Sequence, residues 1–216
     1  NYAVGFNNVD VPAATKHGIP VGNTPGVLTE ATAEMCVALA FAAARRVPEA
    51  DVFMRGGQYK GWLPTLFLGE LFWGKTVGII GMGRIGFAFA KMMASACHMN
   101  VMYYDPHCKL PVTEYFMAQS NFFTSQGEAP ITCTCCENLQ ELCEGSDLIS
   151  INTILDDSTH HLVDAQALGW MKDNAVFINA ARGPVMDEVA LVAHAQSHPN
   201  FKAGLDVFED EPAMKP

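Results

Sequence analysis

The chain has 216 residues, of which 50% are hydrophobic and 17% charged, and this balance predicts a globular protein with a substantial core. A formal net charge of −10 argues against nucleic acid as a partner, because phosphate binding requires a basic face. The longest apolar stretch, residues 35–44, is too short to cross a bilayer, so no membrane partner is expected.

Residues 1–27 are predicted to be the end of one structural unit, and residues 28–216 are predicted to form another. A short helix within residues 9–18 is followed by a predicted strand over residues 19–21. The sequence begins at Asn1 in the middle of a pattern, so we expect a piece of a longer chain. Its targeting signals are then not visible, and we expect an intracellular location in the cytosol or a peroxisome.

A long helix is predicted over residues 29–46, where apolar positions cover most of the circumference and indicate broad burial. Pro48 interrupts the pattern, and helix is expected to resume within residues 50–55. Residues 56–74 are rich in glycine and aromatic residues and predict an ordered arm that needs a surface to cover. The helix and the arm together predict a large apolar interface, so we expect a homodimer.

From Thr76 onward strand and helix signals alternate along the chain. Strands are predicted at residues 77–80, 101–104, 148–152, 175–179 and 203–207, and helices at residues 85–96, 139–144, 164–171 and 187–197. This alternation predicts a doubly wound parallel sheet with helices on both faces, an α/β fold. Residues 106–134 show neither period and are predicted to be an irregular insertion.

The run from Val77 to Gly86 places a Gly-x-Gly-x-x-Gly turn between a buried strand and a helix. Gly81 permits the tight bend, Gly83 allows a pyrophosphate to approach the backbone, and Gly86 allows close packing of helix on strand. Arg84 and Ile85 then begin the helix, whose N-terminus favours phosphate. The pattern predicts a dinucleotide site, with a purely structural glycine turn as the alternative.

An acid, Asp105, ends the next predicted strand, where it can accept hydrogen bonds from the adenosine ribose. A carboxylate there repels a 2′-phosphate, so NAD is the expected cofactor, with NADH preferred over NADPH. His107 follows closely and, when protonated, could give partial tolerance of NADP.

The chain has seven cysteines, and four of them are close in sequence: Cys133, Cys135, Cys136 and Cys143. Their spacing matches no standard zinc pattern, so we expect ordinary reduced thiols, with a metal or redox site as the alternative. Two histidine pairs also invite a metal interpretation, and these are His160 with His161 and His194 with His198. A loop position and a helix end explain the pairs without an ion, so no metal is expected.

Two downstream segments carry further polar residues, namely 177–188, around Ala181-Arg182-Gly183-Pro184, and 204–212, which contains Asp206 and ends in Glu211-Pro212. Together with the glycine turn they strongly resemble the D-isomer-specific 2-hydroxyacid dehydrogenases. The resemblance covers nearly the whole chain. Within that family the sequence is most similar to plant-type hydroxypyruvate reductases, through residues 22–30, 53–57, 61–64, 127–130 and 211–216.

The resemblance implies a Rossmann NAD-binding domain, with residues 1–27 as the remnant of a flavodoxin-like substrate domain. It also implies NADH-dependent reduction of hydroxypyruvate to D-glycerate and of glyoxylate to glycolate, so a small 2-oxo or 2-hydroxy acid is the expected partner. A different D-2-hydroxyacid dehydrogenase, of the phosphoglycerate or lactate type, is an alternative within the family. An NAD-sensing interaction protein without catalysis, or a pseudoenzyme, is an alternative outside it.

The resemblance assigns catalytic roles to Arg182, which would bind the substrate carboxylate, and to Glu211, which would pair with a catalytic histidine. Val4, Gly5 and Trp62 are the further substrate-binding candidates, with packing at an interface as the alternative for Trp62. Cofactor-binding roles fall on Gly81, Gly83, Arg84, Ile85, Gly86, Asp105, Asn152, Ala181 and Asp206. A surface salt bridge of Arg182 and a solvated acidic loop around Glu211 are the structural alternatives.

The sequence departs from the family pattern at two places. The family histidine follows Glu211 in a Pro-His motif, and we expect it outside these 216 residues, so that this piece alone would not turn over. Thr153 follows Asn152 where relatives often carry proline, so a looser loop is expected beside the cofactor.

Overall fold

The computed structural model of the protein describes residues 1–108 and 110–213. Its centre is a six-stranded sheet in which every neighbouring pair of strands is parallel, in the order β3-β2-β1-β4-β5-β6. The strands are β1 Thr76–Ile80, β2 Asn100–Tyr104, β3 Cys133–Cys135, β4 Leu148–Ile151, β5 Val176–Asn179 and β6 Lys202–Leu205. The predicted doubly wound parallel sheet is thereby confirmed.

Eight α-helices lie within the described ranges. They are α1 Val11–Lys16, α2 Thr29–Ala44, α3 Val47–Arg55, α4 Arg84–Cys97, α5 Leu110–Ser125, α6 Leu139–Gly145, α7 Ala165–Gly169 and α8 Glu188–Ser197. A short 3-10 helix, Gly183–Val185, follows β5. Across the described part of the chain, no helix is both long enough and apolar enough to span a membrane.

The sheet separates two hydrophobic clusters, because successive side chains of a strand point to opposite faces. In β5, Val176 and Ile178 join the cluster that contains residues of α2 and α4. Phe177, between them, joins the cluster that contains residues of α6, α7 and α8. Strands covered on both faces read as continuous apolar runs, which is why the strand predictions succeeded.

Helix α2 is buried along one stripe rather than around most of its circumference, which is narrower than its apolar sequence predicts. Ala33, Cys36, Ala40 and Ala44 are fully buried, whereas Met35 is 42% exposed. The small buried residues allow α2 to approach the sheet closely. The opposite side of the helix remains available to another surface.

The predicted strand over residues 19–21 is wrong. A strand needs a hydrogen-bonded neighbour, and no described strand pairs with this segment. Ile19 instead donates its N–H to the carbonyl of Ala14 at the end of α1, and its side chain is 60% exposed. Local β propensity without a partner strand therefore did not produce sheet.

The prediction of an irregular insertion over residues 106–134 is also wrong, because this region contains α5 and the edge strand β3. Helix α5 buries only Val112 and Phe116 and leaves other large apolar residues in solvent. Its apolar period is therefore weak in the sequence. The three residues of β3 are too short to give a clear strand signal.

The expectation of reduced thiols is wrong for one pair of cysteines, because Cys108 and Cys135 form a disulfide across 27 residues. The pairing follows from β3, which places Cys135 beside the end of β2. The free cysteines of the described chain are Cys36, Cys97, Cys133, Cys136 and Cys143.

Candidate functional site

The turn after β1 requires glycine at two of its three glycine positions. Gly81 has a φ of 91°, and a Cβ there would lie 2.9 Å from both the carbonyl oxygen of Asn152 and the amide nitrogen of Thr153. A Cβ on Gly86 would overlap the carbonyl oxygen of Gly81. The turn is therefore held close to the end of β4 and tight against α4.

Gly83 differs from its neighbours, because a Cβ at this position would meet nothing within 4 Å. It is the N-cap of α4, and Arg84 and Ile85 form the first turn of that helix. An exposed glycine at a helix N-terminus, with open space in front of it, fits the close approach of a pyrophosphate.

Asp105 lies directly after β2 and links that strand end to the glycine turn. Its carboxylate accepts hydrogen bonds from the N–H of Met82, at 3.0 Å, and from the N–H of His107, at 3.2 Å. A pocket of ≈ 590 Å³ opens beside it, lined by Met82, Gly83, Arg84, Phe87, Cys108, Leu110, Pro111 and Val112. The role of Asp105 in recognising a ribose stays a prediction.

A second pocket of ≈ 260 Å³ contains both Arg182 and Glu211. Arg182 follows β5, and its Nε donates to Oδ1 of Asn7 at 3.0 Å while its Nη1 donates to the carbonyl of Ala181 at 2.6 Å. Gly5 packs directly against the guanidinium, where any Cβ would overlap it. The N-terminal loop and the segment after β5 thus meet at one guanidinium.

The loop after β6 carries the acidic residues of this pocket and is held by several specific contacts. The Glu211 carboxylate accepts from the N–H of Phe208 at 2.7 Å, and the N–H of Glu209 donates to the Glu188 carboxylate at 3.0 Å. His161 Nε2 lies 2.5 Å from Glu209 Oε1. These contacts order the backbone of the loop, although Asp210 and Glu211 remain exposed to solvent.

Three further cofactor candidates also follow strands at the carboxyl edge of the sheet. Asn152 follows β4, and its side-chain amide donates to Ser150. Ala181 lies two residues beyond β5, and Asp206 follows β6, with its N–H donating to the carbonyl of Asn179 at 3.0 Å. Ligands of open α/β sheets bind at this edge.

Two substrate candidates have less to connect them with the pockets. Val4 is fixed through its backbone, because its carbonyl accepts from the side-chain amide of Asn23 at 2.9 Å. Trp62 is 79% exposed on the arm, and among the described residues it lines neither pocket.

Several contacts at the site were not anticipated from the sequence. Asn7 carries no recognisable signal, because a single asparagine in a loop has many roles. His160, His161 and Glu209 place potential ligand atoms within 4.8 Å of one another and could hold a metal ion. The expectation that the protein uses no metal stays a prediction.

The fold and the residues at the carboxyl edge of the sheet together define a class of protein. A parallel sheet ordered β3-β2-β1-β4-β5-β6, with a glycine turn after its first strand, is the architecture of Rossmann dinucleotide-binding proteins. The family model described as D-isomer specific 2-hydroxyacid dehydrogenase, NAD binding domain, matches residues 37–216. The chain therefore belongs to the D-isomer specific 2-hydroxyacid dehydrogenase family.

Similar proteins within the family are named for their activity. The peroxisomal glycerate dehydrogenase HPR of Arabidopsis thaliana is 52% identical over 100% of this chain and 56% of its own length. A glyoxylate reductase from Thermococcus litoralis is 43% identical over 98% of this chain and 60% of its own length.

A solved structure gives the same picture at the level of the fold. The NADPH-dependent glyoxylate/hydroxypyruvate reductase of Sinorhizobium meliloti, in complex with NADP and malonate, matches with a TM-score of 0.83 at 32% identity. That match covers 100% of this chain and 61% of the other. The chain thus spans between 56% and 61% of the length of these three relatives.

Proposed function

We propose that the protein reduces hydroxypyruvate to D-glycerate, and glyoxylate to glycolate, with NADH as the reductant. The observation that carries the proposal is the placement of Arg182 and Glu211 in one pocket on the sheet edge that also bears the glycine turn. Two relatives with 52% and 43% identity are named for glycerate and glyoxylate chemistry.

Arg182 is the proposed anchor for the substrate. A guanidinium binds a carboxylate through two parallel hydrogen bonds and can at the same time polarise the adjacent carbonyl. Asn7 and the Ala181 carbonyl hold two of its nitrogens, so the group is oriented before substrate arrives. The backbone at Val4 and Gly5 would supply further donors to the same carboxylate.

Glu211 is proposed to act on a proton rather than on the substrate. A carboxylate beside an imidazole favours its protonated form, which can donate to the alkoxide that develops on the reduced carbonyl. Its contact with the N–H of Phe208 fixes one carboxylate oxygen and leaves the other for such a partner.

The residues around the glycine turn fit a nicotinamide dinucleotide, which would supply the hydride when bound. The open space at Gly83 suits its pyrophosphate, Arg84 and Ile85 lie beside that space, and Asp105 suits the adenosine ribose. Asn152, Ala181 and Asp206 would line the nicotinamide half. We propose NADH over NADPH, because the Asp105 carboxylate repels a 2′-phosphate.

Residues 1–27 are proposed to belong to a substrate domain and residues 28–216 to the cofactor domain. We further propose a homodimer formed through α2 and the arm of residues 56–74, with Trp62 extending towards the partner's site. A peroxisomal or cytosolic location would suit this activity.

The test is steady-state turnover of the natural full-length chain with hydroxypyruvate, glyoxylate, pyruvate and phosphohydroxypyruvate. We expect the highest kcat/KM with hydroxypyruvate. Replacing Arg182→Gln should lower kcat/KM by about a hundredfold, since a charged bidentate contact is lost. The matched control is Arg55→Gln, at an exposed residue at the end of α3.

Two results would contradict the proposal. A preference for phosphohydroxypyruvate or pyruvate would place the protein elsewhere in the family. Tight NADH binding without turnover on any of the four acids would indicate a sensor or a pseudoenzyme.

A further inference from the structure

The disulfide between Cys108 and Cys135 lies at the wall of the larger pocket. Cys108 is three residues beyond Asp105 and lines the pocket together with Gly83 and Arg84. Cys135 lies in β3, where it pairs with Tyr103 of β2. The covalent bond therefore ties the segment that follows Asp105 to the edge of the sheet.

The same segment is fixed by hydrogen bonds more than by packing. Asp105 accepts the N–H of Met82 on one carboxylate oxygen and the N–H of His107 on the other. Pro106, His107 and Cys108 are exposed, so little apolar packing holds them. Because a short exposed loop gains much of its order from a crosslink, breaking this bond would release the wall beside Gly83.

We propose that Cys108 and Cys135 form a reversible dithiol/disulfide site whose oxidation state sets the affinity of the protein for its dinucleotide. The oxidised form holds the pocket wall in place for binding. The reduced form must order that segment when the dinucleotide binds, and its affinity is lower. The inference rests on the proposed function only in taking NADH as the ligand.

The remaining cysteines nearby are poorly suited to exchange with this bond. Burial raises the pKa of Cys133 and of Cys143 to about 12, and that of Cys136 to about 11. They therefore stay protonated near neutral pH, and only a thiolate attacks a disulfide. Cys108, by contrast, is exposed to an external reagent.

The reaction is a thiol–disulfide exchange with an external dithiol as the reductant. One thiolate of the dithiol attacks Cys108 Sγ, a mixed disulfide forms, and Cys135 leaves as a thiolate that takes up a proton. The second thiol of the dithiol, as its thiolate, then displaces Cys108, which is protonated in turn. Two electrons pass to the protein, and the dithiol becomes a cyclic disulfide.

The experiment compares NADH binding by the full chain in its oxidised and its dithiothreitol-reduced forms, measured by the fluorescence of bound NADH. Differential alkylation with peptide mass spectrometry establishes which cysteines changed state. We expect reduction to convert only Cys108 and Cys135, and to raise the Kd for NADH about tenfold. Reoxidation should restore the original Kd.

Variants separate the crosslink from general effects of reduction. Cys108→Ser and Cys135→Ser should each show the high Kd and no response to dithiothreitol, whereas the control Cys133→Ser on the same strand should respond like the parent protein. Thermal melting of each variant checks that it is folded. If Cys133→Ser does not fold, Cys97→Ser on α4 serves as the control.

Two outcomes would overturn the inference. One is alkylation of Cys108 and Cys135 as free thiols before reduction, and the other is an equal Kd in both forms. If neither form binds NADH at all, the proposed function fails and this inference fails with it. An equal and measurable Kd in both forms overturns only this inference.

Discussion

Asp105 supports the glycine turn through a hydrogen bond, and we propose that it also sets cofactor choice. Its carboxylate accepts the N–H of Met82, a residue that lines the larger pocket, so its removal is expected to affect both the glycine turn and cofactor choice. We expect Asp105→Ala to weaken binding of both cofactors and to lower the ratio of kcat/KM for NADH to that for NADPH by about tenfold, because the repulsion of the 2′-phosphate is removed.

The ratio is the informative quantity, since loss of the backbone contact affects both cofactors alike. Asp157→Ala, at an exposed loop aspartate, is the matched control and should leave the ratio unchanged. A ratio that stays the same in Asp105→Ala would remove this residue from the explanation of cofactor preference.

The lowered pKa of His194 leads us to expect that the free energy of unfolding depends on pH. Burial lowers its pKa below the ordinary value, the neighbouring His198 lowers it further, and Asp173 acts in the opposite direction. The unfolded state, with a histidine pKa of about 6.5, therefore binds more protons than the folded state in mildly acidic solution. The stability is therefore fully present above the histidine pKa of the unfolded state. It falls as the pH drops from there towards the lower pKa of the folded state.

We expect the midpoint of urea unfolding to fall between pH 7.5 and pH 5.5, a range of about one unit on either side of the ordinary histidine pKa. His194→Gln should reduce that fall, and His17→Gln, at an exposed position, should not. An identical pH profile for the parent protein and His194→Gln would show that other groups govern the acid sensitivity.

At the scale of elements, two glycines of the turn after β1 are predicted to have different roles. Gly86 is needed for packing, and Gly83 is needed for cofactor binding. Gly86→Ala would force a Cβ against the Gly81 carbonyl, and we expect a loss of about 1–3 kcal/mol in the free energy of unfolding. Gly83→Ala has free space and an ordinary backbone, so its stability should be unchanged while its Kd for NADH rises. Chemical denaturation and NADH titration of the two variants measure both quantities, and similar stability losses would contradict the distinction.

The sequence is most informative where an element is buried on both faces or punctuated by glycine. The central strands read as uninterrupted apolar runs, and these runs correctly predict that the glycine turn, Asp105 and Arg182 each follow a strand. The prediction for residues 106–134 was wrong because α5 buries only Val112 and Phe116, so its apolar period is weak in the sequence. The strand predicted over residues 19–21 was wrong because a strand needs a hydrogen-bonded partner, and strand pairing depends on the whole fold.

Contacts between distant segments are the least predictable part of the site. Asn7 reaches Arg182 across 175 residues, and Glu209 meets Glu188 and His161 through loops whose course depends on the sheet. The disulfide belongs with them, because its two cysteines meet only once β3 is placed beside β2. Residue type indicates the chemistry, and only the fold indicates which residues meet.

At the scale of the molecule, the exposed side of α2 and the arm predict self-association. Met35, Trp62 and Trp73 are 42%, 79% and 60% exposed, which is a large apolar surface to leave in water. We expect a dimer at micromolar concentration by light scattering, and a shift towards monomer in Met35→Arg. Met117→Arg, on the exposed side of α5, is the control and should stay dimeric, whereas a monomeric parent protein would contradict the interface.

The parallel sheet also fixes the distance between the strands that lead to the two candidate pockets. Neighbouring strands lie about 4.8 Å apart, so β2, which leads to Asp105, and β5, which leads to Arg182, are separated by three strand steps, or about 14 Å across the sheet. Hydrogen bonding fixes that interval, and mutations within the strands cannot lengthen it without breaking the sheet. The loops that follow the strands can vary without altering that interval, so we expect substrate or nucleotide preference to change through the loops and not through the sheet.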